Sequence, residues 1–386
     1  MKRAKRVVSF VLIFLLCFGT DVSAFADTQS TQAAYTVQYL QVEQMVLNNN
    51  LQVGSNELTI GSMDNENKLK KKYDEISDVL SQTSASMNAI INNPQSTTSL
   101  KAVAQGTNVT LQALLSLLDL QEDVSDDDYE LTELQVDLSN GQLVRSAQSI
   151  FSVYYQLQYN IQDLTNKRIV LENAKKIAQA KYDAQLGTYV DVLDAENTLT
   201  ALDNSIIDLQ NQSKSIGYQM NQLLGHSYND SITFGTMPQP DTVYAEKINL
   251  KNDTVSAQAA SWKVKIYAKE RSLLGDDTRK NRDQRQIKSN AVAMENENIG
   301  ASLEKQYDAI KKQQAALSLE QQKLQNAKVQ WDQAQQKYNA GVLPAFELIK
   351  VKNDYLAEST AVKTVSSTLF WNIESYKWIV KGLPAS

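Results

Sequence analysis

Turn-forming residues are scarce in this 386-residue chain, which holds 13 Gly and 5 Pro. That is about 3% and 1%, against typical usage of roughly 7% and 5%, so the backbone has few places to reverse sharply and long helices are expected. Cysteine is nearly absent too: Cys17 is the single one, and His226 is the single histidine. A transition-metal site built on thiolate or imidazole pairs is therefore excluded, and His226 reads as a surface residue of a linker. There is no excess of positive charge, with Lys+Arg 38 against Asp+Glu 44 and a net charge of −6. With an acidic balance and no basic block along the sequence, nucleic-acid binding is set aside. After the N-terminal segment no apolar run approaches the length of a membrane-spanning helix. Hydrophobic residues make up only 42%, which favours a thin, elongated body over a broad globular core.

The N-terminus has the parts of an export signal. Lys2, Arg3, Lys5 and Arg6 precede an apolar stretch from Val7 to Phe18, and Val22–Ala26 places small residues where a signal peptidase reads them. Cleavage after Ala26 is expected. The apolar stretch is shorter than the roughly 20 residues of a spanning helix, and Leu16 before Cys17 is unlike a lipoprotein signal. Removing four basic residues and Asp21 leaves 34 basic against 43 acidic residues, a net charge of −9, and no cysteine. An exported chain without disulfides must be held together by burial between helices.

An internal repeat organises the rest. Lys181–Asn197 (KYDAQLGTYVDVLDAEN) and Lys337–Asn353 (KYNAGVLPAFELIKVKN) align without a gap at an offset of 156. Lys181/Lys337, Tyr182/Tyr338, Ala184/Ala340 and Asn197/Asn353 are identical. Each copy closes on a glycine, Gly225 and Gly382, and each has an early partner, Val42–Asn50 and Ala245–Asn252. Apolar residues recur every seven positions on both sides of these motifs, as in Ile150, Leu157, Leu164 and Leu171, or Leu303, Ile310, Leu317 and Leu324. Such a period makes coiled-coil strands with one narrow seam. Gly187-Thr188 in the first copy, and Gly341 with Pro344 in the second, interrupt the pattern and predict two hairpin tips. A helix of about 45 residues, roughly 65 Å long, leads into each. The predicted fold is all-α: two tandem repeats of long antiparallel helical hairpins, over 27–225 and 242–386, joined by a linker at 226–241. Residues 93–140, with Pro94, Gly106 and the acidic run 122–130, read as short helices joined by loops. Residues 266–300 are strongly charged, with a turn at Gly275–Asp277. Neither segment alternates like a membrane strand.

Tyr182–Ala195 resembles the hairpin tip of the TolC family of outer-membrane efflux proteins: Tyr, a glycine nearby, a small residue, then Asp-Val-Leu-Asp-Ala. Val42–Leu51 and Asn221–Gly225 are similar to that family's helix start and repeat end. The resemblance implies a homotrimeric duct of long helices, closed at its tips by inward carboxylates and aromatics and docked there on a periplasmic adaptor coupled to a membrane transporter. By the same resemblance Tyr182 and Tyr338 are gate aromatics, Asp191 and Asp194 an acidic ring with Glu347 as its counterpart, and Gly187, Gly341 and Pro344 the turn residues. Three departures stand out. Gln185 occupies the family's glycine position, Lys350 replaces the second acid of the second copy, and the two barrel strands expected in each repeat are missing from 93–140 and 266–300. A variant without the membrane barrel is therefore expected.

Other readings stand beside this one. Asp191 and Asp194 lie three apart in the first turn of a helix, where the dipole welcomes acids regardless of any ring. Asp126–Asp128 lacks the spacing of a calcium loop, and Trp331 and Tyr338 read as seam residues. No enzyme motif is present and no cofactor is implied. A TolC-like export component is the leading reading. The alternative is a secreted coiled-coil spacer with no transport path.

Overall fold

The computed structural model describes residues 34–61, 66–118, 129–275 and 278–384. The expected signal segment and the acidic run before residue 129 lie outside them. Strand β1 (Tyr35–Val37) opens the described chain. Helices α1 (Tyr39–Asn49), α2 (Leu51–Gly61), α3 (Glu66–Asn92), α4 (Thr98–Leu118), α5 (Tyr129–Asp183) and α6 (Tyr189–Leu223) follow. Strand β2 (Ile232–Phe234) leads into α7 (Thr242–Glu246), α8 (Leu250–Ala260), α9 (Trp262–Ser272), α10 (Arg279–Asn339) and α11 (Ala345–Val380). The all-α expectation holds, with one addition: β2, inside the predicted linker, pairs in parallel with β1.

Helices α5 and α10 run for 55 and 61 residues, roughly 80 and 90 Å at 1.5 Å per residue, longer than the expected 45. Neither contains proline, and each has one glycine, Gly141 or Gly300. The segment 129–140 is thus the first part of a long helix and not a short one. The rest of the two slots is mostly helical among the described residues: α4 forms a hairpin with α3, and α9 is followed by the start of α10. Across α3 and α4, the Ser84 hydroxyl donates to Asn108 Oδ1 at 2.8 Å and the Gln112 amide donates to Ser84 Oγ at 2.7 Å.

The two halves are built alike at their roots. Helix α1 breaks at Asn50, whose N–H donates to the Val46 carbonyl; α8 breaks at Ser261, whose N–H donates to that of Ala257. The structural partner of Val42–Leu51 is therefore Asp253–Trp262, not Ala245–Asn252 as the sequence suggested. The tip tyrosine stands 132 positions after the break in the first half and 77 in the second, and the α3–α4 hairpin accounts for the difference. Gly225 and Gly382 have φ of +72° and +101°. A Cβ on Gly225 would stand 1.9 Å from the Asn49 carbonyl oxygen, and one on Gly382 2.3 Å from that of Ala260. Both repeats end where only a glycine lets the backbone pass.

Burial is concentrated at these roots. One core gathers Tyr39, Val46, Ile150, Phe151, Met220 and Phe370; the other gathers Leu303, Ile310, Leu369, Ile373 and Tyr376. The Trp378 indole donates to Gln148 Oε1 at 2.8 Å and so ties α11 to α5. Along the seven-residue seam burial fades toward the tips: Leu303 and Ile310 are buried, Leu317, Leu324 and Trp331 half-buried, and Tyr338 exposed. Helix α6 packs on α5, α5 on α11 and α11 on α10, while α6 and α10 share no packed interface. The four long helices make an open row, with α6 at one flank and α10 at the other, where α8 and α9 cover only the root part of α10.

Candidate functional site at the hairpin tips

The two tips are superposable in their hydrogen bonding. Ala184, Gln185 and Leu186 donate backbone N–H groups to the carbonyls of Ala180, Tyr182 and Lys181; Ala340, Gly341 and Val342 donate to those of Gln336, Tyr338 and Lys337. Each set is the paired closure of a helix end that requires a left-handed residue. That residue is Gly341 at φ +75° in the second tip and Gln185 at φ +60° in the first. Gly187, which the sequence offered for this role, does not adopt positive φ. It lies close to the end of α5 instead, where a Cβ would come within 3.2 Å of Lys181 Cβ.

The helices leaving the tips start differently. Thr188 precedes α6 and forms a reciprocal capping box with Asp191: Thr188 Oγ1 accepts from the Asp191 N–H at 3.2 Å, and the Thr188 N–H donates to Asp191 Oδ2 at 2.8 Å. The backbone and hydroxyl hydrogen bonds from Thr188 hold the Asp191 carboxyl below its ordinary value. In the second tip Pro344 takes the capping place, with no side-chain hydrogen bond. There Glu347 pairs with Lys350 at 3.2 Å, and the Lys350 ammonium sits 5.8 Å from the Phe346 ring centre. Asp194, one position round from Asp191, is exposed.

Apolar groups crowd both tips in the open. Tyr182 and Tyr189 lie 5.6 Å apart between ring centres and are 42% and 55% exposed. Leu186 and Val342, at equivalent positions, are 81% and 72% exposed. The sequence places Gln185 and Thr188 at the first tip, but not the left-handed turn of the one or the capping role of the other, and it gives no role to Tyr189. The available signals were the Thr-x-x-Asp spacing of a cap and large apolar residues inside a turn.

No metal-binding group of three or more His, Cys, Asp or Glu occurs among the described residues. His226 is half-buried rather than a bare surface residue, stacked on Tyr35 with ring centres 4.0 Å apart.

No protein-family model matches the sequence, and no curated protein does. Solved structures do. The outer membrane protein VceC of Vibrio cholerae superposes with a TM-score of 0.51 at 10% identity, over 90% of this chain and 97% of that one. The outer-membrane channel OprN superposes at 0.50 with 12% identity, over 89% of this chain and 90% of that one. The fold is that of the TolC-like outer-membrane channels. Within it the tips are the turns at 184–188 and 340–344, and no helix among the described residues is long and apolar enough to cross a membrane.

Proposed function

We propose that this chain is a cell-envelope export component of TolC-like type. Three copies close their open rows into one helical duct, which works with an adaptor and a membrane transporter. In this reading residues 1–26 are removed on export, repeats 27–225 and 242–386 each supply one hairpin, and 226–241 joins them. The exposed apolar tips meet the adaptor, with Tyr182 and Tyr338 at the gate and Asp194 beside the Asp191 cap as its acidic element. Glu347 is tied to Lys350, so the acid of the second tip is already matched within its own helix.

The observation that carries the reading is the open row, with α6 at one flank and the part of α10 nearer the tip at the other. Helix α6 has five acidic residues and one basic, a net −4; Asp203 and Glu196 pair with Arg168 and Lys175 of α5 and Asp191 is held by Thr188, which leaves Asp194 and Asp208 for the flank. The 35 residues of α10 that run beside it in height, 305–339, have six basic and three acidic residues, a net +3. Opposite charge on the two edges of one row favours a head-to-tail contact that repeats until it closes. The test is the mass of the purified protein in solution, lacking residues 1–26, at low and high salt. Three copies that come apart as salt rises are expected, whereas a monomer at every concentration would favour the spacer.

A further inference from the structure

The two ends of the rods differ in charge as well as in shape. Far from the tips, α9 turns into α10 and sets two basic stretches side by side. Residues 263–288 contain nine Lys or Arg against four Asp or Glu, a net +5 in a chain of net −6. Read linearly, these cations are split by the turn and form no block; the hairpin brings them together. Several are engaged by neighbours. Lys269 pairs with Glu130 of α5, Lys288 with Glu270 at 2.7 Å, and Lys263 lies 3.9 Å from Glu295. Burial and the neighbouring Glu133 push the Asp137 carboxyl of α5 up, against the pull of Lys265. Arg279 and Lys280 are exposed at the start of α10, and Arg271, also exposed, donates to the Ser289 hydroxyl at 3.2 Å. The Arg285 guanidinium donates to the Leu274 carbonyl at 2.9 Å and also to that of Gly275, tying the segment after α9 to α10. Between these cations sit the half-exposed Leu273 and Leu274, and Ile287 is 54% exposed.

We infer that the α9–α10 end is a membrane-surface foot: its exposed arginines and lysine bind the phosphate headgroups of an anionic lipid bilayer while Leu273, Leu274 and Ile287 enter the headgroup layer. A soluble polyanion rewards cations strung along a track. A lipid interface rewards cations and apolar side chains gathered at one blunt end, which is the arrangement here. The foot needs no membrane-crossing segment, and several copies side by side strengthen it through avidity. It is independent of the duct proposal, because a monomeric rod would carry the same foot.

The test uses the protein lacking residues 1–26, whose own basic and apolar residues would bind lipid. Binding is measured by co-sedimentation with vesicles of phosphatidylglycerol mixed with phosphatidylcholine, with phosphatidylcholine alone, and with added soluble polyphosphate. Strong binding to the anionic vesicles only, weakening with salt, is expected. The triple variant Arg271→Gln, Arg279→Gln, Lys280→Gln should lose on the order of a hundredfold with an unchanged melting temperature. A control removing equal charge at a tip, Lys337→Gln, Lys350→Gln, Lys352→Gln, should bind as the parent does. Equal binding to both vesicle types, equal loss in the control, or binding to polyphosphate without binding to vesicles would overturn the inference.

Discussion

The two hairpin tips have the same backbone and opposite chemistry. Over 181–196 the first carries one basic and four acidic residues; over 337–352 the second carries three basic and one acidic. Backbone hydrogen bonds match residue for residue at an offset of 156, so geometry is kept while the side chains diverge. The closure of the turn is therefore set by helix-end physics, which tolerates Gln185 where Gly341 stands, and the exposed positions are free to specialise. The roots show the reverse: Gly225 and Gly382 face neighbouring carbonyl oxygens that leave no space for any side chain.

The largest effect should come from breaking that symmetry at the roots. Gly225→Val and Gly382→Val each force a Cβ into a backbone carbonyl at positive φ, and each is expected to cost about 3 kcal/mol or more, read as a large drop in melting temperature. A loss confined to one half would show that the halves are not equivalent. Next, Thr188→Ala removes the capping box and should cost about 1 kcal/mol, while Pro344→Ala, with no side-chain cap to lose, should cost less. The left-handed position gives opposite signs at the two tips: Gln185→Gly should stabilise by about 0.5 kcal/mol, and Gly341→Gln should destabilise by about 1 kcal/mol.

The pH response should separate the tips too. Asp191 has its folded value lowered by Thr188, so its stabilising contribution is present above the unfolded carboxyl value near pH 4 and fades as pH falls through the lower folded value. Melting curves of the parent and Asp191→Asn should therefore converge below about pH 4. The smallest effect is expected for Lys350→Gln, which removes an exposed ion pair worth at most about 0.5 kcal/mol.

Much of this arrangement was legible in the sequence because periodicity and turn residues are local signals. The seven-residue seam, Gly341, Pro344 and the gapless tip alignment located both hairpins. The α3–α4 hairpin blurred the repeat at its early end, since an insertion in one half shifts every equivalence before it; Val42–Leu51 was matched to the wrong segment for that reason. Gln185 stands at the glycine position of the alignment, but its left-handed conformation is imposed by neighbouring helix-end bonds and leaves no mark on residue type. Charge complementarity between α6 and α10 was hidden as well, because only the order of packing shows which helices form the flanks. The β1–β2 pair joins segments 197 residues apart, a distance at which three-residue strands give no pattern.

The closure of the row is tested most directly by a disulfide between its flanks. Ile207 on α6 and Leu319 on α10 are each 51% exposed and lie 18 and 20 residues from their tip ends. With residues 1–26 absent no native cysteine remains, and the protein carrying both Ile207→Cys and Leu319→Cys should oxidise to covalent trimers. The two single variants should link only when mixed, and then only into pairs. Monomer alone after oxidation of the double variant, at concentrations where the parent sediments as three copies, would contradict head-to-tail closure.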